Sequence, residues 1–458
     1  MKILILGAGQ VGSSAAYHLS REEANEVTVV DTSPDVLREL QDRLDIRTVV
    51  GHAAYPDVLD RAGANDADII VALTDSDETN MVACQVAYTL FHTPTKIARI
   101  RAAEYMTSSG LFNQGAIPID VRISPEQLVC EYIEQLILYP GASQVLDFAE
   151  GRVRLVGAKA DRDGLLVGQQ ISTLKEHIPN TEARIAAIYR KGKAMLPEGD
   201  TVIQENDEVF FIADRKDIRV FMSEMRRLED PVRRVVIAGG GNIGVRLALA
   251  LEQTNQVKII ERDGRRARHI SEMLGKAIVL VGDAADEELL LEENIDNVDV
   301  FCALTNSEEA NILSSMLSKR LGAKKVMALI NRPSYVDLVE AGSIDIAISP
   351  QQVTIGSLLA HVRRGDVVKV HSLRRGAAEA IEAIAHGGEK DSRVVGRAIE
   401  DIELPKGASI VALVRDDDVI IAHHDTVIES DDHVIMFLTD RRRIESLEKL
   451  FQVGVSFV

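Results

Sequence analysis

Three glycines, Gly7, Gly9 and Gly12, follow the apolar run at residues 3–6, and Asp31 closes the next apolar run, 19 residues after Gly12. Between a strand and a helix this spacing has a physical use. The first glycine permits a tight turn, the second lets the backbone approach a pyrophosphate, and the third lets helix and strand pack closely, while the N–H groups of the first helical turn face the anion. A carboxylate at the end of the second strand accepts from ribose hydroxyls. The pattern recurs at Gly239, Gly241 and Gly244, with Glu261 lying 17 residues after Gly244. An acid at this strand end favours NAD over NADP and also fits the ribose of ATP or ADP. Arg262, beside Glu261, is either a partner for a 2′-phosphate or a solvated side chain. A glycine triplet can also serve as a turn alone, so the motif needs its surrounding elements.

No other chemistry is written as clearly. There is no GxxxxGK[ST] loop, HExxH, GxSxG elbow or metal-spaced Cys/His cluster, so neither a catalytic nor a metal site is assigned. His423, His424 and Asp425 come nearest to a metal or acid–base group, but the first half has no histidines at the matching place. The basic clusters Arg226–Arg227, Arg233–Arg234, Arg265–Arg266–Arg268 and Arg441–Arg442–Arg443 have no interleaved aromatics and read as solvated helix faces. With 52 Lys and Arg against 71 Asp and Glu, the formal charge is −19, a field that opposes nucleic acid. Cys84, Cys130 and Cys302 lie far apart in apolar stretches, which suits a reducing compartment. No apolar run reaches the roughly 18 residues of a membrane span, and residues 1–7 lack the pattern of a secretory leader, so a cytoplasmic protein is expected.

The chain of 458 residues, 46% hydrophobic and 27% charged, has the composition of a packed globular protein of two to four domains. It is also made twice. ILILGAGQVG (3–12) answers VVIAGGGNIG (235–244), ALTDSDETN (72–80) answers ALTNSEEAN (303–311), ISPEQ (123–127) answers ISPQQ (348–352), and DTVI (200–203) answers DTVI (425–428). Register from Tyr105 and Tyr335 sets Arg99 opposite Leu329, so a cation near the ligand is present in one copy only.

Apolar runs at 3–6, 27–30, 47–50, 69–73, 97–100 and 121–123 alternate with helical patterns at 36–44, 58–62 and 81–91. This predicts a doubly wound α/β domain with a parallel sheet, closed by a helix over 126–138 that Pro140 and Gly141 stop. A small α+β domain follows, with strands at 152–156, 184–189 and 208–212. The plan is therefore two tandem Rossmann-like doubly wound domains, each followed by a small α+β domain: 1–142, 143–230, 231–365 and 366–458. The helices starting near Glu126 and Gln351 carry apolar faces (Leu128, Ile133, Leu136; Val353, Leu358, Leu359) that fit either contacts between subunits or packing within the chain.

A dehydrogenase needs a substrate domain that presents an acid or base to the cofactor, and the small domains offer neither the length nor a clear residue. Two binding modules in tandem suit a nucleotide that shifts a conformational equilibrium. The alternatives are a two-Rossmann NAD-dependent oxidoreductase and a soluble nucleotide sensor acting on an enzyme.

The doubled GAGxVG/GGGxIG motifs with Asp31 and Glu261, the doubled ALT segments and IARIRAAEY at 97–105 make the whole chain resemble the TrkA family of tandem RCK-type (TrkA-N plus TrkA-C) regulators of potassium uptake. That resemblance implies a non-enzymatic regulatory subunit, peripheral on the cytoplasmic face of the inner membrane. It implies assembly into a homo-oligomeric gating ring and control of a membrane potassium-transporting subunit of the Trk type through NAD(H), with ATP or ADP as further ligands. By position it implies a first site of Gly7, Ala8, Gly9, Gln10, Val11, Gly12, Asp31, Leu73, Thr74 and Arg99. The second is Gly239, Gly240, Gly241, Asn242, Ile243, Gly244, Glu261, Leu304 and Thr305. Relatives that prefer ATP often carry an arginine in the glycine loop, where this chain has Gln10 and Asn242.

Overall fold

The computed structural model describes residues 1–22, 25–102, 104–105, 110–179, 181–340, 342–362, 366–373 and 378–452. Ala103 of the 97–105 motif and residue 365, the expected end of the third segment, lie outside them.

Six short strands form the first sheet: β1 (Lys2–Leu6), β2 (Glu26–Asp31), β3 (Arg47–Val50), β4 (Ile69–Ala72), β5 (Thr95–Arg99) and β6 (Val121–Ile123), ordered β3-β2-β1-β4-β5-β6. All five pairings are parallel. Ile3 to Leu6 are wholly buried, as expected of a central strand covered on both faces. The order reverses between β1 and β4, and a crevice opens there beyond the carboxyl ends of the strands. Helices over Gln10–Leu19, Pro34–Gln41, Pro56–Ala62 and Asp77–Phe91 cover the sheet.

After β7 (Ala142–Phe148), β8 (Val153–Lys159), β9 (Ala183–Arg190), β10 (Lys193–Met195) and β11 (Glu208–Asp214), the whole pattern repeats. The second parallel sheet holds β12 (Arg234–Ala238), β13 (Gln256–Glu261), β14 (Ile278–Val281), β15 (Val300–Ala303), β16 (Lys325–Leu329) and β17 (Ile346–Ile348), in the order β14-β13-β12-β15-β16-β17. The last sheet holds β18 (Val367–Leu373), β19 (Ala378–Ile384), β20 (Ala408–Arg415), β21 (Asp418–Ile421) and β22 (His433–Leu438). Its order β18-β19-β22-β20-β21 matches β7-β8-β11-β9-β10 strand for strand. The two antiparallel sheets share one core, to which Phe148, Phe210, Leu373 and Phe437 contribute. The opening strand β7 carries no clear alternation, and the sequence reading misses it.

The chain divides into two compact units, residues 1–129 with 349–362, and residues 130–348 with 363–458. In the first unit the helix Pro350–Val362, which follows the second parallel sheet in sequence, packs on the helix Gln10–Leu19. In the second unit the thiol of Cys130, on the helix Pro125–Leu138, donates to the carbonyl of Ile243 at 3.4 Å. Each late helix thus lies against the first helix of the other repeat. Ile133, Leu136, Leu358 and Leu359 are buried within this single chain, so these parts of the apolar faces are not left over for another subunit.

Beside the shared core of the antiparallel sheets His371 is half-buried, its Nε2 3.3 Å from the Asp147 carbonyl and its ring edge-on to Phe148. Burial, helped by the charge of Lys369, pushes its pKa from 6.5 down to about 4. A histidine held neutral contributes stability above pH 6.5 that is lost as the pH falls toward 4. Stability is therefore expected to fall by up to about 1.4 kcal/mol per pH unit across that window, and His371→Gln should flatten the slope in urea unfolding. An unchanged slope would show that His371 protonates without penalty.

Candidate functional site

The crevice of the first unit is a cleft of about 470 Å³ lined by Gly7, Gly9, Asp31, Leu73, Thr74 and Arg99, among others. The chain reaches it from Leu6 through Gly7, whose amide donates to the Val30 carbonyl at 2.8 Å and whose φ of +103° favours glycine. A Cβ on Gly12 would stand 1.9 Å from the Gly7 carbonyl oxygen. Helix and turn can approach this closely only because that position is glycine. Ala8, Val11 and Gly12 are buried behind the loop, and Gln10 is exposed at the helix start.

Gly9 is different. Its φ of −65° is open to any residue, and a Cβ there would meet no atom within 4 Å. Nothing in the protein demands glycine at this point, whereas a ligand lying on the loop would. Gly9 caps the helix Gln10–Leu19 with no side-chain hydrogen bond and no acid in the first turn. Ser33, Ser76, Asp263, Asp286 and Ser307 each cap their helices with a side-chain oxygen. The amides left without a cap at the glycine-loop helix are suited to an anion.

Asp31 does two jobs. One carboxylate oxygen accepts from the Ala8 amide at 2.7 Å and the other from the Ser33 amide at 2.8 Å, so the acid ties the glycine loop to the end of β2. A carboxylate has about four acceptor positions, which leaves room for ribose hydroxyls. Across the cleft the buried Asn80 uses both ends of its amide. Its oxygen accepts from the Thr74 amide and hydroxyl at 3.0 and 2.7 Å, and its nitrogen donates to the carbonyls of Thr74 and Arg99 at 3.3 and 2.9 Å. Asn80 therefore fixes Thr74 against the end of β5. Arg99 pairs with Glu126, 3.2 Å from Nη2 to Oε1.

The second copy reproduces this almost bond for bond. A Cβ on Gly244 would lie 2.0 Å from the Gly239 carbonyl oxygen, while one on Gly241 would meet nothing. Glu261 accepts from the Gly240 and Asp263 amides, both at 2.9 Å. Asn311 holds Thr305, behind the buried Leu304, and the Leu329 carbonyl just as Asn80 holds its partners. Asn242 is exposed and Ile243 half-buried at the helix start. Two corrections to the sequence reading follow. Arg266 is not merely on a solvated face, because its Nε donates to the Gly240 carbonyl at 2.8 Å. Arg226 likewise holds the Gly141 carbonyl at 2.9 Å and Glu229 at 2.6 Å.

Gly51, His52 and Thr79 also line the first cleft, and the sequence reading missed them together with Asn80. The signal was the repeat itself, since GHAA (51–54) answers GDAA (282–285) and the two ALT segments both end in asparagine. His423 and His424 are exposed, and among the described residues no group of three His, Cys, Asp or Glu could hold a metal.

The TrkA-N domain family matches residues 3–125 and 235–350, and the TrkA-C domain family matches residues 155–226 and 389–452. The Trk system potassium uptake protein TrkA of Halomonas elongata is 62% identical over 457 residues, with 100% of each chain covered. Among solved structures, the GsuK RCK domain is 18% identical with a TM-score of 0.62, over 98% of this chain and 94% of its own. A GsuK channel bound to NAD is 19% identical with a TM-score of 0.61, over 98% of this chain and 78% of its own. At such identities the two structures speak for the fold.

Gly9→Val and Gly12→Ala separate binding from folding. The first is expected to leave the melting temperature of the ligand-free protein within about 2 °C while weakening nucleotide binding at least tenfold, and the second to destabilise the protein by about 1–3 kcal/mol through overpacking. Calorimetry on both variants checks this, and a Gly9→Val protein that binds like the original would remove the ligand from the loop.

Proposed function

The chain belongs to the TrkA family, and from that premise we propose that it is the nucleotide-binding regulatory subunit of a potassium uptake system rather than an enzyme. It docks on the cytoplasmic face of a membrane potassium-transporting subunit of the Trk type and assembles with copies of itself into a gating ring. NAD(H) is the ligand, with ATP or ADP as further candidates. The four segments 1–142, 143–230, 231–365 and 366–458 belong to the same reading, as alternating binding and small domains.

The observation that carries it is the open space over Gly9 and Gly241. A position that tolerates any side chain on steric grounds, yet is glycine in both repeats, fits a backbone surface kept clear for a pyrophosphate. The Gly9 and Gly241 caps with the first-turn amides would hold the pyrophosphate. Asp31 and Glu261 would hold the adenosine ribose, and Leu73, Thr74 and Arg99, or Leu304 and Thr305, would face the far half of the ligand. The bound nucleotide supplies charge and hydrogen-bonding groups that order the cleft. The protein supplies a loop that is already tied down, so little ordering remains to oppose binding.

Regulation needs the nucleotide to bind two conformations unequally. The exchanged helices give a route for this, since the helix Gln10–Leu19 that starts at the first glycine loop is covered by the helix Pro350–Val362. Among the described residues no helix is long and apolar enough to cross a membrane. A NAD-dependent oxidoreductase would need an acid or base aimed into the cleft. His52 and Asp75 line the first cleft, but the second repeat has Asp283 and Asn306 at these positions, so neither residue is common to the two sites.

Potassium flux in proteoliposomes carrying the transporting subunit tests the reading. Adding the chain is expected to make flux depend on NADH, and the double variant Gly9→Val/Gly241→Val should abolish that dependence while still binding the vesicles. Flux indifferent to the chain, or equally NADH-dependent with the double variant, would sink it.

A further inference from the structure

The repeats agree in nearly every bond around their clefts, so the place where they disagree is informative. Arg99 and Glu126 form an ion pair at the end of β5, with side chains 19% and 13% exposed. The second repeat has Leu329 and Gln351 at these positions, so both members of the pair are absent together. Glu126 also lies in the first turn of the helix Pro125–Leu138, where the helix dipole favours a carboxylate. Asp75 lines the first cleft as well, and its counterpart is the neutral Asn306. Beside the second glycine loop stands Arg266, whose counterpart is Val36. The two clefts therefore share a backbone cradle and differ in charge.

The cation that lines the first cleft is already neutralised. A terminal phosphate reaching Arg99 would meet the Glu126 carboxylate beside it, whose negative charge opposes the phosphate's own. A sugar presents hydroxyls, which donate as well as accept. Arg99 Nε, a donor, and Glu126 Oε2, an acceptor, are both without a hydrogen-bond partner among the described residues. A hydroxyl that reached the pair would find one donor and one acceptor side by side. That combination complements a hydroxyl and conflicts with a phosphate, which can only accept.

We propose that Glu126 sets the ligand class of the first cleft, admitting dinucleotides whose far half presents sugar hydroxyls and disfavouring nucleoside triphosphates. This inference rests on the reading of the cleft as a nucleotide site. Glu126 acts through Arg99 and is a specificity-determining residue rather than part of the pyrophosphate cradle.

The test uses the full-length chain carrying Gly241→Val, which leaves the first cleft to be read alone, titrated calorimetrically with NADH and with ATP in EDTA. Glu126→Gln is expected to raise ATP affinity relative to NADH about tenfold, the scale of one screened charge at close range. Glu126→Asp, which keeps the charge, should leave the ratio where it was. Arg99→Gln, which keeps Glu126 and removes its partner, should lower ATP affinity about tenfold more than NADH affinity. A ratio unmoved by Glu126→Gln, or moved toward NADH, would overturn the proposal. So would an equal loss of both ligands in Arg99→Gln. Failure of both nucleotides to bind the Gly241→Val chain would overturn the reading of the first cleft itself, and the inference with it.

Discussion

The contact between Gly12 and the carbonyl of Gly7 governs the rest of the molecule. With a Cβ only 1.9 Å from that oxygen, no side chain fits at residue 12 unless the turn shifts, and glycine lets the strand turn into the helix Gln10–Leu19 within three residues. That turn aims the helix N-terminus across the carboxyl ends of β1 and β4, where the sheet order reverses and a crevice opens. Asp31 and Asn80 then hold its two sides through backbone amides and carbonyls. The repeat at Gly239 and Gly244 reaches the same geometry against the equivalent neighbours, the Gly239 carbonyl and the Leu304–Thr305 backbone.

The parallel sheets were legible because their strands are short, apolar and separated by helical periodicity. The β1 run at residues 3–6 is buried as expected, and β6 falls on residues 121–123 as read. The acids at Asp31 and Glu261 were found by spacing, but their structural share was not. A hydrogen bond from a loop amide to a carboxylate more than 20 residues away leaves no trace in either local pattern. The same applies to Asn80, whose partners include the Arg99 carbonyl. Arg266 looked like a solvated arginine because helix periodicity states which face it occupies and not that the face borders a glycine loop. The strand β7 was hidden because one side of it enters a core shared with a sheet more than 200 residues away in sequence.

The exchange of the late helices was also beyond the sequence. An apolar stripe specifies that a helix must be covered, and two equivalent first helices offer equivalent cover. Packing each late helix on the other repeat joins the halves in a way that two independent domains would lack, and it puts part of the first nucleotide-site scaffold under residues from the second half. A regulator needs this kind of connection, because a ligand can act at a distance only through an element whose position both conformations share unequally. Within that common frame, the clefts have diverged in charge while their backbone cradles have not.

The central claim is that both glycine loops are nucleotide cradles in a protein that does not consume the nucleotide. The most direct measurement is the calorimetric stoichiometry of NADH on the purified, nucleotide-free chain, with absorbance followed afterwards to detect oxidation. The account expects saturable binding at more than one site per chain and no loss of NADH. Absence of saturable binding would reduce the glycine motifs to structural turns, and steady oxidation of the bound cofactor would make the protein an enzyme.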